Sequence, residues 1–445
     1  MKKIVSLFLA LTMALSLAAC GSKTGEQAAA GSGTQKEDTL VKEISSPVEI
    51  QFWHSISNPV HAGILENLIK EFNDTVGQEK GITVVPTFNG SSSELYSNVI
   101  AAIKAGNAPD VTLALRPYVA DYLQTDYVVD LAPYISDPDV GISDYNDIFE
   151  GLRNANSNYE KEGTYSLPIH SYSEVLYYNV DFFEKNNLTV PTTWDEMVDT
   201  CSKIREITGA PAFGWDNLAG SFMTLVKQFG GRYTDQNGNI YFANEDTDVA
   251  LKVLNLWKDN VDCGIWRTAG EDMFFSGPFA NQQVQMYLSS GNEGEFINMK
   301  IPESAKFEWS CAPIPQFEDG TKADYAEGFL ISMLDNTNDL ATRWASWIFV
   351  QYMQSYEVCQ KINSGESRLP FLKSVAASDE FLNSAAPAQL AGVEQQDFAY
   401  TYPGFETDTY TSSGLHDYVV IAMDNILNNG ADVRAELEKL ISTLQ

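Results

Sequence analysis

Histidine is scarce in this chain. Four occur in 445 residues, at His54, His61, His170 and His416. No two of them stand in the His-Glu-x-x-His spacing that holds zinc on one helix face. No Gly-x-Ser-x-Gly run supplies the strained elbow of a nucleophilic serine. Each histidine therefore reads first as a hydrogen-bonding residue, and His54 and His170, at strand ends, are also placed for ligand contact. Cysteine is limited to five residues with no C-x-x-C pair, which excludes zinc-ribbon and thioredoxin-like chemistry. Cys201, Cys263, Cys311 and Cys359 are compatible with two disulfides, in any of three pairings, or with isolated buried thiols.

Positive charge is also in short supply. There are 28 Lys and Arg against 60 Asp and Glu, a net charge of −32. Such a surface repels nucleic-acid phosphates and anionic lipid headgroups. Neutral and cationic ligands are compatible with it, and an anionic ligand would need a local basic pocket. So many carboxylates make any one pair uninformative as a glycosidase acid and base. Past the N-terminus no apolar run is long enough to cross a bilayer.

The N-terminus is the exception to this polar character. Met1-Lys2-Lys3 is a short positive segment, and Ile4 to Leu17 is an apolar run too short for a stable span. Leu17-Ala18-Ala19-Cys20-Gly21 then has the small residues and cysteine of a bacterial lipoprotein signal. The expectation is a signal peptide over 1–19, with diacylglycerol on the Cys20 thiol after cleavage. Burial of acyl chain contributes about 0.8 kcal/mol per CH₂, which would tether a globular body to the outer face of the cytoplasmic membrane, extracellular or periplasmic. Residues 20–46, rich in Gly, Ser, Thr, Ala, Gln and Lys, read as the flexible lipidated tether.

The folded part begins abruptly. Val48, Ile50 and Phe52 alternate with polar residues, predicting a strand that ends at Trp53-His54-Ser55. Pro59 opens a helix whose Ile64, Leu65, Leu68, Ile69 and Phe72 recur at helical spacing. Ile82 to Phe88 is a second strand. A helix carrying Leu95, Val99, Ile100 and Ile103 stops at Gly106, and Asp110 to Leu115 is a third strand. This alternation predicts βαβ units and a largely parallel sheet. Ligands of such sheets lie beyond the strand carboxyl ends, where Trp53-His54-Ser55, Asn89-Gly90-Ser91-Ser92 and Arg116-Pro117-Tyr118 all fall. A second set of elements starts near 165, with strands over Glu174–Asn179, Ala212–Trp215 and Val284–Leu288. Helices are expected over about Leu218–Phe229, Thr247–Val261, Asn338–Ile362 and Gly430–Leu444. Asp235, Asn237 and Asn239 mimic half of a calcium loop, but no bidentate Glu follows, so an Asn-Gly turn is the reading.

Aromatics beside polar or Gly/Pro-marked loops suit stacking on the C–H face of a sugar ring. Trp215, Trp266, Tyr118, Tyr172, Tyr402 and Phe405 are of this kind, whereas Trp257, Trp344 and Trp347 lie on helices as core.

Several segments together resemble one family. They are Phe52-Trp53-His54-Ser55, Gly106-Asn107-Ala108-Pro109-Asp110-Val111, Val175-Leu176-Tyr177-Tyr178-Asn179, Pro191-Thr192-Thr193-Trp194-Asp195-Glu196, Ser289-Ser290-Gly291 and Glu327-Gly328-Phe329. In this order the chain, from about residue 47 onward, resembles the family 1 extracellular solute-binding proteins of ABC importers, which include glycerol-3-phosphate and maltose receptors. The resemblance implies a two-lobed α/β fold of the type II periplasmic-binding-protein kind. Each lobe would be a mostly parallel sheet flanked by helices, with several hinge crossings. By analogy the N-terminal lobe holds 47–155 plus 310–362, and the C-terminal lobe 156–309 plus 363–445. It implies a monomeric receptor that takes a mono- or oligosaccharide, closes on it, and delivers it to a membrane permease, with no catalytic residue, cofactor or metal. The glycerol-3-phosphate branch has tyrosine, a carboxylate and serine where this chain has Ser92, Arg116 and Tyr172. Its late arginine has no counterpart between Ser374 and Val433, which favours a neutral sugar over a phosphate.

The expected ligand-binding residues are Trp53, His54, Ser92, Arg116, Tyr118, His170, Tyr172, Trp215, Trp266, Ser290, Gly291, Asn292, Glu327, Gly328 and Tyr402. Alternatives are a receptor of the same fold for glycerol-3-phosphate, a glycerophosphodiester or a polyamine, and a secreted carbohydrate-active enzyme.

Overall fold

The computed structural model describes residues 40, 42, 44–235, 237–335, 339–363, 368–401 and 412–444. The leader, Cys20, most of the tether, Tyr402 and Phe405 lie outside the described residues. The strands are β1 (Val48–His54), β2 (Ile82–Phe88), β3 (Val111–Ala114), β4 (Leu167–Pro168), β5 (Tyr172–Asn179), β6 (Met286–Ser290), β7 (Trp309–Ala312), β8 (Asp324–Glu327), β9 (Leu330–Met333) and β10 (Ala399–Tyr400). They form two sheets with flanking helices, the two-lobed type II arrangement.

The first sheet has the order β2-β1-β3-β9-β4. β1 is parallel to β2 and β3, as the βαβ spacing predicts. The connecting helices are closed by local chemistry. Asn58 accepts from the Val60 and His61 N–H groups ahead of Pro59. Ser91 and Glu94 form a reciprocal capping box on the helix Ser92–Ala105, and Gly106 ends it at φ 70°. Ile50, Phe52, Val111, Leu113 and Ile331 are fully enclosed in the first core, with Trp347 and Phe349 above them.

The second sheet departs from the expectation of mostly parallel strands. β5 is antiparallel to β6, β7 and β8, and only β10 and β8 run parallel. The reason is the route of the chain. It passes outward along β4 and β5 and returns along β8 and β9, so the two passes pair head to tail, Leu167 with Ile331 and Tyr172 with Glu327. β5 separates two cores by its period of two. Leu176 packs with Trp194, Phe213, Trp215, Trp257, Trp266 and Leu288, while Val175 and Tyr177 pack with Phe275, Phe279 and Tyr287.

Between the two passes the register slips by one residue. Ile169 donates to the Phe329 carbonyl, and Ser173 pairs with Ala326, so His170 and Ser171 oppose Gly328 alone. A Cβ on Gly328 would stand 2.1 Å from the His170 carbonyl oxygen. Its lack of a side chain is therefore a requirement of the crossing itself. A third pass joins here, with Ser171 bridged to Leu369 in both directions.

Tyr159, Tyr165 and Ile169 belong to the first core, as do Phe371, Leu372 and Val375, whereas β7 belongs to the second sheet. The expected helix over 338–362 is two, Leu340–Met353 and Tyr356–Ile362, because Ser355 caps a new start inside the apolar run. Cys201, Cys263, Cys311 and Cys359 are all free thiols. No helix among the described residues is long and apolar enough to cross a membrane.

Candidate ligand-binding cleft

Two adjoining cavities meet at the return pass, where both are lined by Tyr325 and Glu327 of β8. The first reaches into the first lobe. Leu115 and Arg116 face it from the end of β3, and His170, Ser171 and Gly328 from the crossing, with Leu152 and Asn156 beside them. The second is walled by the second lobe. Tyr172, Ser173 and Glu174 open β5, Ser289 and Ser290 end β6, and Asp216, Asn217, Phe274, Asn292 and Glu293 come from loops.

Carboxyl groups dominate the second cavity. Glu174 is buried and accepts from the Trp215 indole N–H at 3.0 Å. Burial pushes its carboxyl up to about 8, against the pull of the Trp215 and Asn217 hydrogen bonds. Asp216 accepts from the Phe275 N–H at 2.8 Å, and burial raises it to about 7. Glu293 is raised by the same cause, eased by Ser276 and Lys300. The Tyr325 hydroxyl donates to Glu327. Behind this wall Asp324 is fully enclosed, takes a hydrogen bond from Ser173, and is held well above the carboxylate range by desolvation. Burial thus favours the protonated form of Glu174, Asp216 and Glu293, and a protonated carboxyl can both donate to and accept from neutral hydroxyls.

Phe274 supplies an exposed ring at this wall, 53% accessible. The turn before it is unusual. Met273 has φ 64° and ψ −41°, and the Phe274 N–H donates to the Asp272 carbonyl at 2.7 Å. That is the γ-turn with positive φ, rare and strained for a residue with a Cβ. Phe275, the next residue, is locked by Asp216, so Phe274 is fixed from both sides.

The first cavity has a different character. Arg116 is 7% exposed. Its Nη1 donates to the Asn158 carbonyl at 3.3 Å, and its guanidinium lies 5.3 Å from the Tyr159 ring. Its Nη2 is enclosed and has no hydrogen-bond partner. His170, 1% exposed, packs on Tyr172 and Phe329, and both its ring nitrogens are without a partner. Desolvation, reinforced by Arg368, holds His170 neutral.

Of the residues expected from sequence, Arg116, His170, Tyr172, Ser290, Asn292, Glu327 and Gly328 line these cavities. Gly291 adjoins them, its N–H held by the Ser173 carbonyl. Trp53, His54, Ser92 and Tyr118 line neither cavity. His54 packs between Phe52 and Phe88, the Ser92 hydroxyl is 3.4 Å from that of Ser55, and Tyr118 stacks on Tyr96. Trp215 and Trp266 are corrected as stacking platforms. Neither lines a cavity; both are enclosed in the second core, where Trp266 is wrapped by Trp194, Phe213 and Trp257.

A profile of the bacterial extracellular solute-binding proteins matches residues 67–420. The chain belongs to this family. Its members are solute-binding receptors of ABC importers. The arabinooligosaccharide-binding protein of Bacillus subtilis is 26% identical over 342 residues, 72% of this chain and 69% of that one. The sn-glycerol-3-phosphate-binding periplasmic protein of Rhizobium meliloti is 27% identical over 220 residues, 47% and 48% of the two chains. In fold, the crystal structure of the cyclic alpha-maltosyl-1,6-maltose binding protein of Arthrobacter globiformis covers 90% of this chain and 98% of its own, with TM-score 0.74 at 20% identity.

In this solute-binding protein the second-cavity residues that sequence reasoning missed are Ser173, Glu174, Asp216, Asn217, Phe274, Ser289, Glu293 and Tyr325. Glu174 carried a signal, being an ionisable residue opening an otherwise apolar strand. Asp216 stands one step from Trp215, and that step turns the side chain from core to cleft.

Proposed function

We propose that this receptor captures a mono- or oligosaccharide between its lobes and gives it up unchanged to an ABC permease. The observation that carries the reading is the second cavity, where the Phe274 and Tyr172 rings stand among Glu174, Asp216, Ser290 and Asn292. Rings supply apolar contact for the C–H face of a sugar, and carboxyls and amides orient its hydroxyls. The relative that binds arabinooligosaccharides supports a sugar, and the glycerol-3-phosphate relative keeps a non-sugar solute as the second reading. The body acts as a monomer on a lipid anchor at Cys20, and it is a binder with no enzymatic step.

Thermal-shift screening against sugars and glycerol phosphates tests this. A solute at a hundred times its Kd stabilises the folded state by about 2.7 kcal/mol. The expected result is a rise in Tm with particular sugars and none with glycerol 3-phosphate. A rise confined to glycerol phosphates overturns the sugar. Release of new reducing ends overturns the receptor.

A further inference from the structure

Among the described residues, the buried cation Arg116 has no acidic partner. It enters no ion pair, and the groups that act on it electrostatically are the hydroxyls of Tyr159, Tyr400 and Tyr325, with no carboxylate among the described residues. A buried charge left uncompensated is strongly unfavourable. Its Nη2 is enclosed at the wall of the first cavity without an acceptor. His170 lines the same cavity, neutral and with an N–H donor unspent. Donors therefore collect at the first-lobe end of the cleft, and carboxyls at the second-lobe end.

We infer that the solute is an acidic sugar, a saccharide bearing a uronate carboxylate, whose carboxylate seats on Arg116 and His170 while its hydroxyls meet Glu174, Asp216 and Glu293. This rests on the sugar reading above and specifies it. One guanidinium balances one carboxylate and matches its planar shape. A phosphate dianion brings a second negative charge, and no second cation stands among the described residues lining the cleft. The hydroxyl-bearing part fits the other cavity for the reasons given above. The acidic surface of the whole chain is no obstacle, because the partner of the carboxylate is local and desolvated.

Isothermal calorimetry on the intact chain tests this with D-galacturonate and its dimer and trimer, the matched neutral galactose series, and galactose 1-phosphate. The expected result is a Kd for a uronate at least about tenfold below that of its neutral counterpart and of the phosphate. Arg116→Met is expected to remove that preference, lowering the uronate's affinity at least about tenfold more than the neutral sugar's. Because Arg116 is buried, the comparison of ligands on the unaltered protein stands by itself if the variant does not fold. A neutral sugar binding as tightly as the uronate overturns the inference and leaves the sugar receptor intact. Tighter binding of galactose 1-phosphate overturns the uronate assignment in favour of a phosphate. No binding by any member, with the protein folded, overturns the sugar reading and the inference together.

Discussion

The Trp215 indole donates to Glu174 at 3.0 Å, from inside the second core to the wall of the cleft. The bond ties the packing of the lobe to the polar group that faces the solute. It also fixes a carboxyl in a desolvated place, where its protonated form is favoured.

Stability should therefore fall as pH rises through neutrality. Glu174 titrates near 8 and Asp216 near 7 in the folded chain. Both lie above the values of about 4.3 and 3.9 for unperturbed groups. Over that window the folded state binds more protons than the unfolded state, so stability is greatest below about pH 4 with respect to these groups and declines until about pH 8. Glu174→Gln should flatten the upper part of the profile. Urea unfolding of the ligand-free protein from pH 5 to pH 9 checks it, and a profile that Glu174→Gln leaves unchanged contradicts the assignment.

Phe274 and Met273 should separate binding from stability. Phe274→Ala removes an exposed ring, so Tm should hold while solute affinity falls about tenfold or more. Met273→Gly relieves a backbone strain of about 1–3 kcal/mol, because glycine accepts positive φ. Its Tm should not fall, yet affinity should, since the ring is no longer held in place. Calorimetry with the solute found by screening, beside thermal melts, reads both. Unchanged affinity in both variants removes Phe274 from the site.

Trp266→Ala should act on the fold. Truncating a buried tryptophan costs about 3–5 kcal/mol, and Trp266 is enclosed by three other aromatic rings. Denaturant unfolding should show a loss of that order. A loss under about 1 kcal/mol together with abolished solute binding would return the ring to the cleft.

Particular elements explain how far the sequence could be read. The first-lobe strands β1 and β2 were legible because alternation, capping boxes and terminal glycines are local signals. The antiparallel passes were not, because Tyr172 and Glu327 meet across 155 positions and nothing nearby encodes that pairing. Arg116, His170 and Tyr172 line the cavities because strand ends and crossings gather there. Trp266 and Phe274 were exchanged because both sit in polar loops, and only tertiary packing decides which ring is enclosed. Met273 could not be anticipated, since a non-glycine residue at positive φ leaves no compositional trace.

On the proposed function, a solute is captured reversibly in the cleft lined from both lobes. Calorimetric titration with the screened sugar, followed by chromatography of the recovered solute, tests it most directly. One saturable site per chain, weakened by both Glu174→Gln and Phe274→Ala, with the sugar returned unaltered, is the predicted result. Saturable binding that neither substitution affects, or a sugar recovered as smaller fragments, would contradict it.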